Sequence, residues 1–492
     1  MMPVSTKLLR PSVAATTMLE KTGGCVLPHP VVAVRTVNLP CGGVVVAAGG
    51  GVVSVGLLST VLRPLATQGG VAADAASVVS PSAEVGSLVL TSGFVTCMAV
   101  APLPDAGAAL GVVGTSHGSL CLFVVESRVG GNQPALFKVC EMPLRAYSDG
   151  LISVEDPVTD VCVGFDPAGR PEFVAAASAT CVALVDTQCF DEQLKAKATE
   201  AVAQAFTKQY SPHVGRPTNE PFCVSFAAAE VVKLLVPERY HAAFTMDVAL
   251  VVVLDSGEVR YVARGVVGGS VQLLLEHHLQ RQARQSEVGL SMLVNDDPLR
   301  GGPRALPHVL YAYSLSAVVH NVCAAAAALG SRAASDIVVN DAALCYDASA
   351  HQMRLIVAGT ETHSVERPGQ PCTTSGWWAI AFNVVCPRNT LQQARSLTVS
   401  SFAALNSSSL PRDRCGLAAV LAVPDGQLLF ACGNELHVCT AAGELMSGGH
   451  GSLRHVYTAG SVVSSMAAAQ SQKSGNSAVV VACGASLALL QI

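Results

Sequence analysis

Residues 423–446, VPDGQLLFACGNELHVCTAAGELM, alternate short apolar runs with tight-turn residues. Pro424-Asp425-Gly426 opens a turn and a first strand follows. Gly433-Asn434 sends the chain back as a second strand, and Ala442-Gly443 turns it into a third. Gly, Asn, Pro and Asp supply the backbone angles that turns this short require. Three adjacent strands so joined lie as an antiparallel meander. Its apolar faces need cover, so the unit constrains the rest of the chain to supply more like it.

Six further stretches match the template of apolar strand, turn, apolar strand ending in small residues, tight turn and apolar strand. They are residues 31–58, 94–125, 158–187, 248–265, 343–385 and 461–492, and a strand at 415–423 precedes the opening segment. In the fifth, RLIVAGTE and GWWAIAFNVV read as strands around an inserted polar loop. Many strands are apolar throughout, as expected where neighbours cover both faces. Ala, Gly, Cys and Ser close the second strands, as in VVGTSHG and VAAASAT, and small residues let neighbouring units approach.

The last segment supplies three strands before Ile492, so the expectation is that a strand within residues 16–27 completes it and removes an exposed edge. Residues 1–15 read as a flexible N-terminus. Units of this kind need about 40–45 residues each, and the excess length falls in insertions at 188–221 and 266–336. The first contains a helical pattern at 191–209, with Asp191 as cap and Leu194, Ala198, Val202 and Phe206 on one face. The second contains a further helix within 271–288. Loops at 69–87 and 406–414 are rich in Gly, Ser and Pro.

Composition fits many short buried strands. Half of the residues are hydrophobic, 13% are charged, and there are 43 Gly. That excludes a disordered chain. Thirty basic residues against 35 acidic ones, without a run of either sign, argue against tracking a nucleic-acid backbone. The 17 Cys are spread almost evenly, many of them in apolar runs (Cys97, Cys121, Cys162, Cys181, Cys432, Cys439, Cys483), with no CxxC and no zinc-ligand spacing. They read as small buried hydrophobes in a reducing compartment. No apolar run reaches the ~18 residues that span a bilayer. The N-terminal 20 residues resemble a mitochondrial presequence in charge alone, since Pro3 and Pro11 interrupt a helix. Cytoplasmic location is the expectation, with nuclear or ciliary assemblies as alternatives.

The motifs of common chemistries are missing. Gly-Lys never occurs, so no phosphate-binding loop is present, and HExxH is not found; the one GxSxG string, GTSHG at 114–118, falls at the turn between two apolar strands at His117-Gly118 and is no nucleophile elbow. The adjacent His277 and His278 face different sides of a helix and cannot chelate together. A β run, not a helix, follows Gly49-Gly50-Gly51, so these glycines read as a strand–strand turn. Asp160, Asp166, Asp186 and Asp255 fall at strand ends and turns, where carboxylates cap backbone N–H groups. The expectation is therefore a chain with no catalytic, cofactor-binding or metal-binding residues and no small-molecule substrate. Trp377 and Trp378 are the only Trp residues, and adjacent strand positions face opposite ways. One is expected to anchor packing, and the other is the candidate partner-binding residue.

Residues 424–429, TSHGSLCLF at 115–123 and VALVDT at 182–187 resemble the WD-repeat β-propeller family over essentially the whole chain. Trp-Asp pairs are missing, and Gly-His opens a repeat only at Gly449-His450. The resemblance implies an all-β, seven-bladed WD-repeat-like propeller over residues 16–492, with helical and loop insertions. It further implies a non-enzymatic scaffold that binds other proteins within a larger complex. HPVVAVRTVNLPCGGVVVAAGGGVVSVGLL, at 29–58, also resembles the opening of the ER exchange factors that load GTP on the COPII-initiating GTPase. Gly49 to Gly51 match that family's functional glycine loop, while its next polar loop and its C-terminal anchor have no counterpart. The alternative implied is an ER-associated guanine nucleotide exchange factor acting on a small GTPase.

Overall fold

The computed structural model describes residues 20–61, 86–103, 107–127, 133–148, 151–153, 155–165, 171–187, 222–226, 229–237, 248–264, 313–315, 336–347, 352–367, 370–385, 398–406, 418–423, 427–439, 454–470 and 477–491. The helices expected at 191–209 and within 271–288, the N-terminal residues 1–15, Pro424-Asp425-Gly426 and Gly449-His450 lie outside them.

The fold is an all-β propeller. The first strand, β1 (Glu20–Val26), is followed by sheet I with β2 (Ala33–Leu39), β3 (Gly42–Gly49), β4 (Val52–Leu57) and β5 (Gly86–Val89). Sheet II holds β6 (Val95–Leu103), β7 (Ala108–Thr115), β8 (Ser119–Ser127) and β9 (Pro134–Pro143). Sheet III holds β10 (Val158–Phe165), β11 (Pro171–Ser178), β12 (Cys181–Asp186) and β13 (Phe222–Ser225). Sheet IV holds β14 (Val231–Leu235), β15 (Val248–Leu254), β16 (Val259–Arg264) and β17 (Tyr313–Leu315). Sheet V holds β18 (Asp336–Asp347), β19 (Gln352–Arg367), β20 (Gln370–Val385) and β21 (Thr398–Asn406). Sheet VI holds β22 (Ala418–Ala422), β23 (Leu428–Cys432), β24 (Glu435–Cys439) and β25 (Arg454–Thr458). Sheet VII holds β26 (Val463–Gln470), β27 (Ser477–Cys483) and β28 (Ser486–Gln491), with β1 as its fourth strand. Among the described residues the only helical elements are a turn at Leu58–Val61 and a 3-10 turn at Leu144–Tyr147.

The first strands form a ring. β2 packs on β6, β6 on β10, β10 on β14, β14 on β18, β18 on β22, β22 on β26, and β26 back on β2. β1 runs antiparallel to β28, from Glu20 opposite Gln491 to Val26 opposite Ser486. The two ends of the described chain therefore share one sheet.

The core is a series of interfaces between sheets, set by strand alternation. In sheet II, Ala109, Val113, Cys121, Phe123 and Val125 face sheet I. Leu110, Val112, Leu120, Leu122 and Val124 face sheet III. This explains why β7 reads as apolar or small throughout, since every residue in it is buried. Each large side chain buried in this way stabilises the fold by about 1.5–3 kcal/mol, and Phe123, Phe173 and Phe430 are among the largest. Two of the rings lie over glycine. Gly111 pairs with Phe123 and Gly164 with Phe173, and a Cβ at either glycine would run into the ring.

Two stretches differ from the sequence reading. Residues 362–367 and 370–375, read as part of an inserted loop, are strand. β19 and β20 stay paired from Met353–Val384 to Arg367–Gln370. Thr362, Val365, Thr373 and Thr374 favour strand on both sides, and polarity without alternation disguised them. The stretch 266–336, read as insertion, contains β17, the fourth strand of sheet IV.

Candidate functional site

One device recurs near the start of five of the seven first strands. The register shifts by one residue between Val95 and Cys97, Val158 and Asp160, Val231 and Lys233, Val339 and Asp341, and Val463 and Ser465. Such bulges re-aim the following side chain. That side chain reaches the next sheet's first strand. Asp160 accepts the Leu234 N–H at 2.8 Å, Asp341 the Val420 N–H at 3.0 Å, and Ser465 the Val34 N–H at 3.1 Å. The bulged residues reach the same way, with Thr96 Oγ1 donating to the Val158 carbonyl at 2.5 Å and Ser464 Oγ to the Val31 carbonyl at 2.7 Å. A belt of polar contacts thus ties the ring at one level.

Lys233 carries the belt's charge. Its Nζ lies 3.4 Å from Asp341 Oδ1 and 3.8 Å from Asp160 Oδ1. The two carboxylates hold the ammonium above its usual range. Burial pushes the Asp160 carboxyl up, against the pull of Lys233 and the Leu234 N–H. Asp160 is therefore not a turn cap. It lies inside β10, buried, and joins sheet III to sheet IV. Asp255 accepts the Glu230 N–H at 2.9 Å, the kind of turn bond expected of it. Asp186 ends β12, and Asp166 lies outside the described residues.

A second device fixes one face of the ring. The turn between the second and third strands of one sheet accepts backbone N–H groups from the chain entering the next. Val31 N–H bonds Gly484 O (2.7 Å), Val95 N–H bonds Gly50 O (2.6 Å), Val231 N–H bonds Ala179 O (2.8 Å) and Val463 N–H bonds Gly433 O (2.8 Å). The accepting residue has positive φ in all four, from 45° at Ala179 to 60° at Gly433. Glycine adopts that angle without strain. The glycine run therefore has a structural reason. Gly50 makes this turn, and the Pro30 carbonyl closes on Gly49 so tightly that no Cβ fits.

This turn face carries the exposed apolar side chains. Among the described residues the large exposed hydrophobics are Val32, Val89, Phe94, Leu151, Val338 and Val462. All sit where a first strand begins, where a fourth strand ends, or in the loop between the two. Phe94 is 67% exposed. Its backbone is held on both sides, by its own N–H to Ser116 Oγ (3.0 Å) and by Ser116 N–H to its carbonyl (2.8 Å). Gly93 packs so closely on His117 and Ser116 that a side chain there would collide. The ring of Phe94 is thus presented from fixed backbone.

The structure places Trp377 and Trp378 at this level. Trp378 pairs with Gly359 and Asn406, and Trp377 with Thr360. Beyond them β19 and β20 continue as a hairpin arm past Asp336–Thr362, the last pair that β18 makes. The arm, from His363–Thr374 through Arg367–Gln370, is five residues per strand, or about 16 Å at strand rise. Sequence reasoning named this pair as the candidate and singled out neither Phe94 nor the belt. The belt's signal is a polar residue two places after Val in VTD, VVK, VND and VSS.

Other chemistry-bearing groups lie elsewhere. A hydrogen bond with Cys223 draws the buried Cys181 thiol down to about 6, against burial and with help from Ser225 and Thr180. Burial pushes Cys97 and Cys121 up to about 12. His437 and His455 stack edge to face 5.4 Å apart. Among the described residues no three His, Cys, Asp or Glu side chains gather as metal ligands, and no helix is long and apolar enough to cross a membrane.

No protein-family model matches the sequence, and no curated protein matches it. Solved structures similar to this chain include Sqt1 from Chaetomium thermophilum, at 9% identity over 94% of this chain and 82% of that one, with a TM-score of 0.44. Sqt1 of the same organism bound to the N-terminus of ribosomal protein L10 gives 10% identity, 96% and 100% coverage and a TM-score of 0.44. The Chaetomium thermophilum Nup82 NTD–Nup159 TAIL–Nup145N APD complex gives 11%, 96% and 95%, and 0.43.

Proposed function

We propose that this chain is a seven-bladed, WD-repeat-like propeller, one domain over residues 16–492 closed by its N-terminal strand, that acts as a non-enzymatic scaffold for other proteins in a larger assembly. The observation that carries the reading is the gathering of Val32, Val89, Phe94, Leu151, Val338 and Val462 on one face. Apolar side chains scattered singly need no explanation, whereas apolar side chains gathered on one face mark a contact surface. The rigid turns beneath them keep the ordering cost of binding low. Trp377 and Trp378 belong to the same platform as candidate contact residues at the base of the arm. Thiols rather than disulfides at every cysteine whose side chain is described, most of them buried, support a cytoplasmic setting.

The test is purification of the full tagged chain from its own cells after mild cross-linking, followed by sizing. A stoichiometric protein partner is expected. A chain that runs alone at its own mass throughout would remove the scaffold reading. If the purified chain instead accelerated nucleotide release from a small GTPase, the exchange-factor alternative would replace it.

A further inference from the structure

The exposed apolar residues are not spread evenly round the ring. Val462 enters sheet VII, Val32 enters sheet I, Val89 and Phe94 bracket the loop from sheet I to sheet II, and Leu151 lies between sheets II and III. They form an arc over consecutive sheets, and Val338 stands apart at sheet V. Where the arc ends, the face changes character. The loops of sheets III and IV carry Glu155, Asp156, Glu230 and Asp255. Against them stands Arg145, exposed in the 3-10 turn at Leu144–Tyr147. Glu258 is paired with Arg260 at 2.9 Å and adds no net charge. Glu155 and Glu230 are exposed.

The sector's backbone is as firmly held as the arc's. Asp255 and Glu230 hold each other's loops through two N–H bonds of 2.9 Å, and Asp156 Oδ2 accepts the Ser153 N–H at 2.9 Å. Acidic groups on held backbone next to apolar groups define a two-part surface. The apolar part favours desolvated contact. The acidic part favours a cation and disfavours an anionic bilayer or nucleic acid.

Resting on the scaffold reading, we infer that the partner docks a short segment whose apolar side chains are followed by Lys or Arg. The apolar residues cover the arc from Val462 through Val32 and Phe94 to Leu151. The basic residues reach the carboxylates of Glu155 and Glu230. Phe94 is the central anchor, because an exposed aromatic ring on fixed backbone is the side chain from which a partner gains most.

The test uses the full chain and a random peptide library. Peptides selected on the wild-type chain are sequenced, and their affinities are then read by fluorescence anisotropy. Two variants, Phe94→Asp with Val462→Asp and Glu155→Gln with Glu230→Gln, are first checked for unchanged circular dichroism and melting. These positions are exposed, so both variants fold. The expected result is a consensus of apolar residues followed by Lys or Arg. The first variant weakens binding by about tenfold or more. The second weakens it severalfold and flattens its salt dependence. An acidic or uncharged consensus, no selectable peptide, or affinity indifferent to both variants would overturn the inference. So would wild-type self-association abolished by Phe94→Asp, which would assign the face to a second copy. If the Phe94→Asp, Val462→Asp chain keeps its partners in cells, this inference falls and the scaffold reading stands. If the wild-type chain has no partner, both fall.

Discussion

Replacing Lys233 by Met should destabilise the ring in a way that depends on pH. The ammonium lies 3.4 Å and 3.8 Å from two carboxylates. At an effective dielectric near 20, unit charges this close attract by about 4–5 kcal/mol per pair. Desolvating the ammonium offsets much of that, and Lys233 retains 26% side-chain exposure. Removing one partner of a buried pair costs about 3–5 kcal/mol because the other charge is stranded. Asp160 is the stranded group, with 8% side-chain exposure. The partial exposure of Lys233 reduces the expected loss to about 2–4 kcal/mol at pH 7.

The pH dependence follows from Asp160. Its carboxyl is already raised by burial in the folded chain. Without Lys233 it rises further. A carboxyl raised on folding contributes fully below its unfolded value and loses that contribution as pH rises through its folded value. The variant should therefore lie closest to the wild type near pH 4 and fall away from it toward pH 7. Urea unfolding of both proteins across that range reads the difference, and Lys233→Met with Asp160→Asn should recover part of it. A loss under about 1 kcal/mol at pH 7, or a gap that does not change with pH, would refute the account of the belt.

Three further outcomes are expected. Gly111→Ala places a methyl group against the Phe123 ring and should cost about 1–3 kcal/mol in denaturant unfolding, with Phe123→Leu relieving part of it. Deleting residues up to Leu27 removes β1 from β28, so the melting temperature should fall sharply and aggregation should rise, and an unchanged melt would contradict the pairing. The thiolate absorbance lost in Cys181→Ser should titrate near pH 6, where the Cys223 hydrogen bond holds it, and titration above pH 8 would contradict that bond.

The repeats were legible because turn chemistry and apolar runs coincide in them. Gly433-Asn434 and Gly49-Gly50-Gly51 each sit between two buried strands, so punctuation and period agree. β17 was hidden because Tyr313–Leu315 is three residues long and too short for any period. The arm was hidden because its stability is not an alternating pattern but continuity with a buried hairpin below it. Asp160 was misread because its position relative to turns in the sequence says nothing of the neighbouring sheet. Its partner, Leu234, is 74 residues away. Phe94 gave no signal, since one aromatic before VTCMAV reads as the start of a buried strand, and only the loop bonds reveal that it faces outward.

The pairing of Glu20 with Gln491 has a temporal consequence. A ribosome adding about 5–20 residues per second takes roughly half a minute to a minute and a half to travel from one to the other. Throughout that interval β1 has emerged and its destination does not yet exist. Sheets I to VI can stack on one another as they appear, but the circle cannot lock until residues 486–491 have been made. Until then the growing propeller is an open crescent whose β1 lacks its partner, and whatever shields that strand in the cell decides how much of it survives to become a ring.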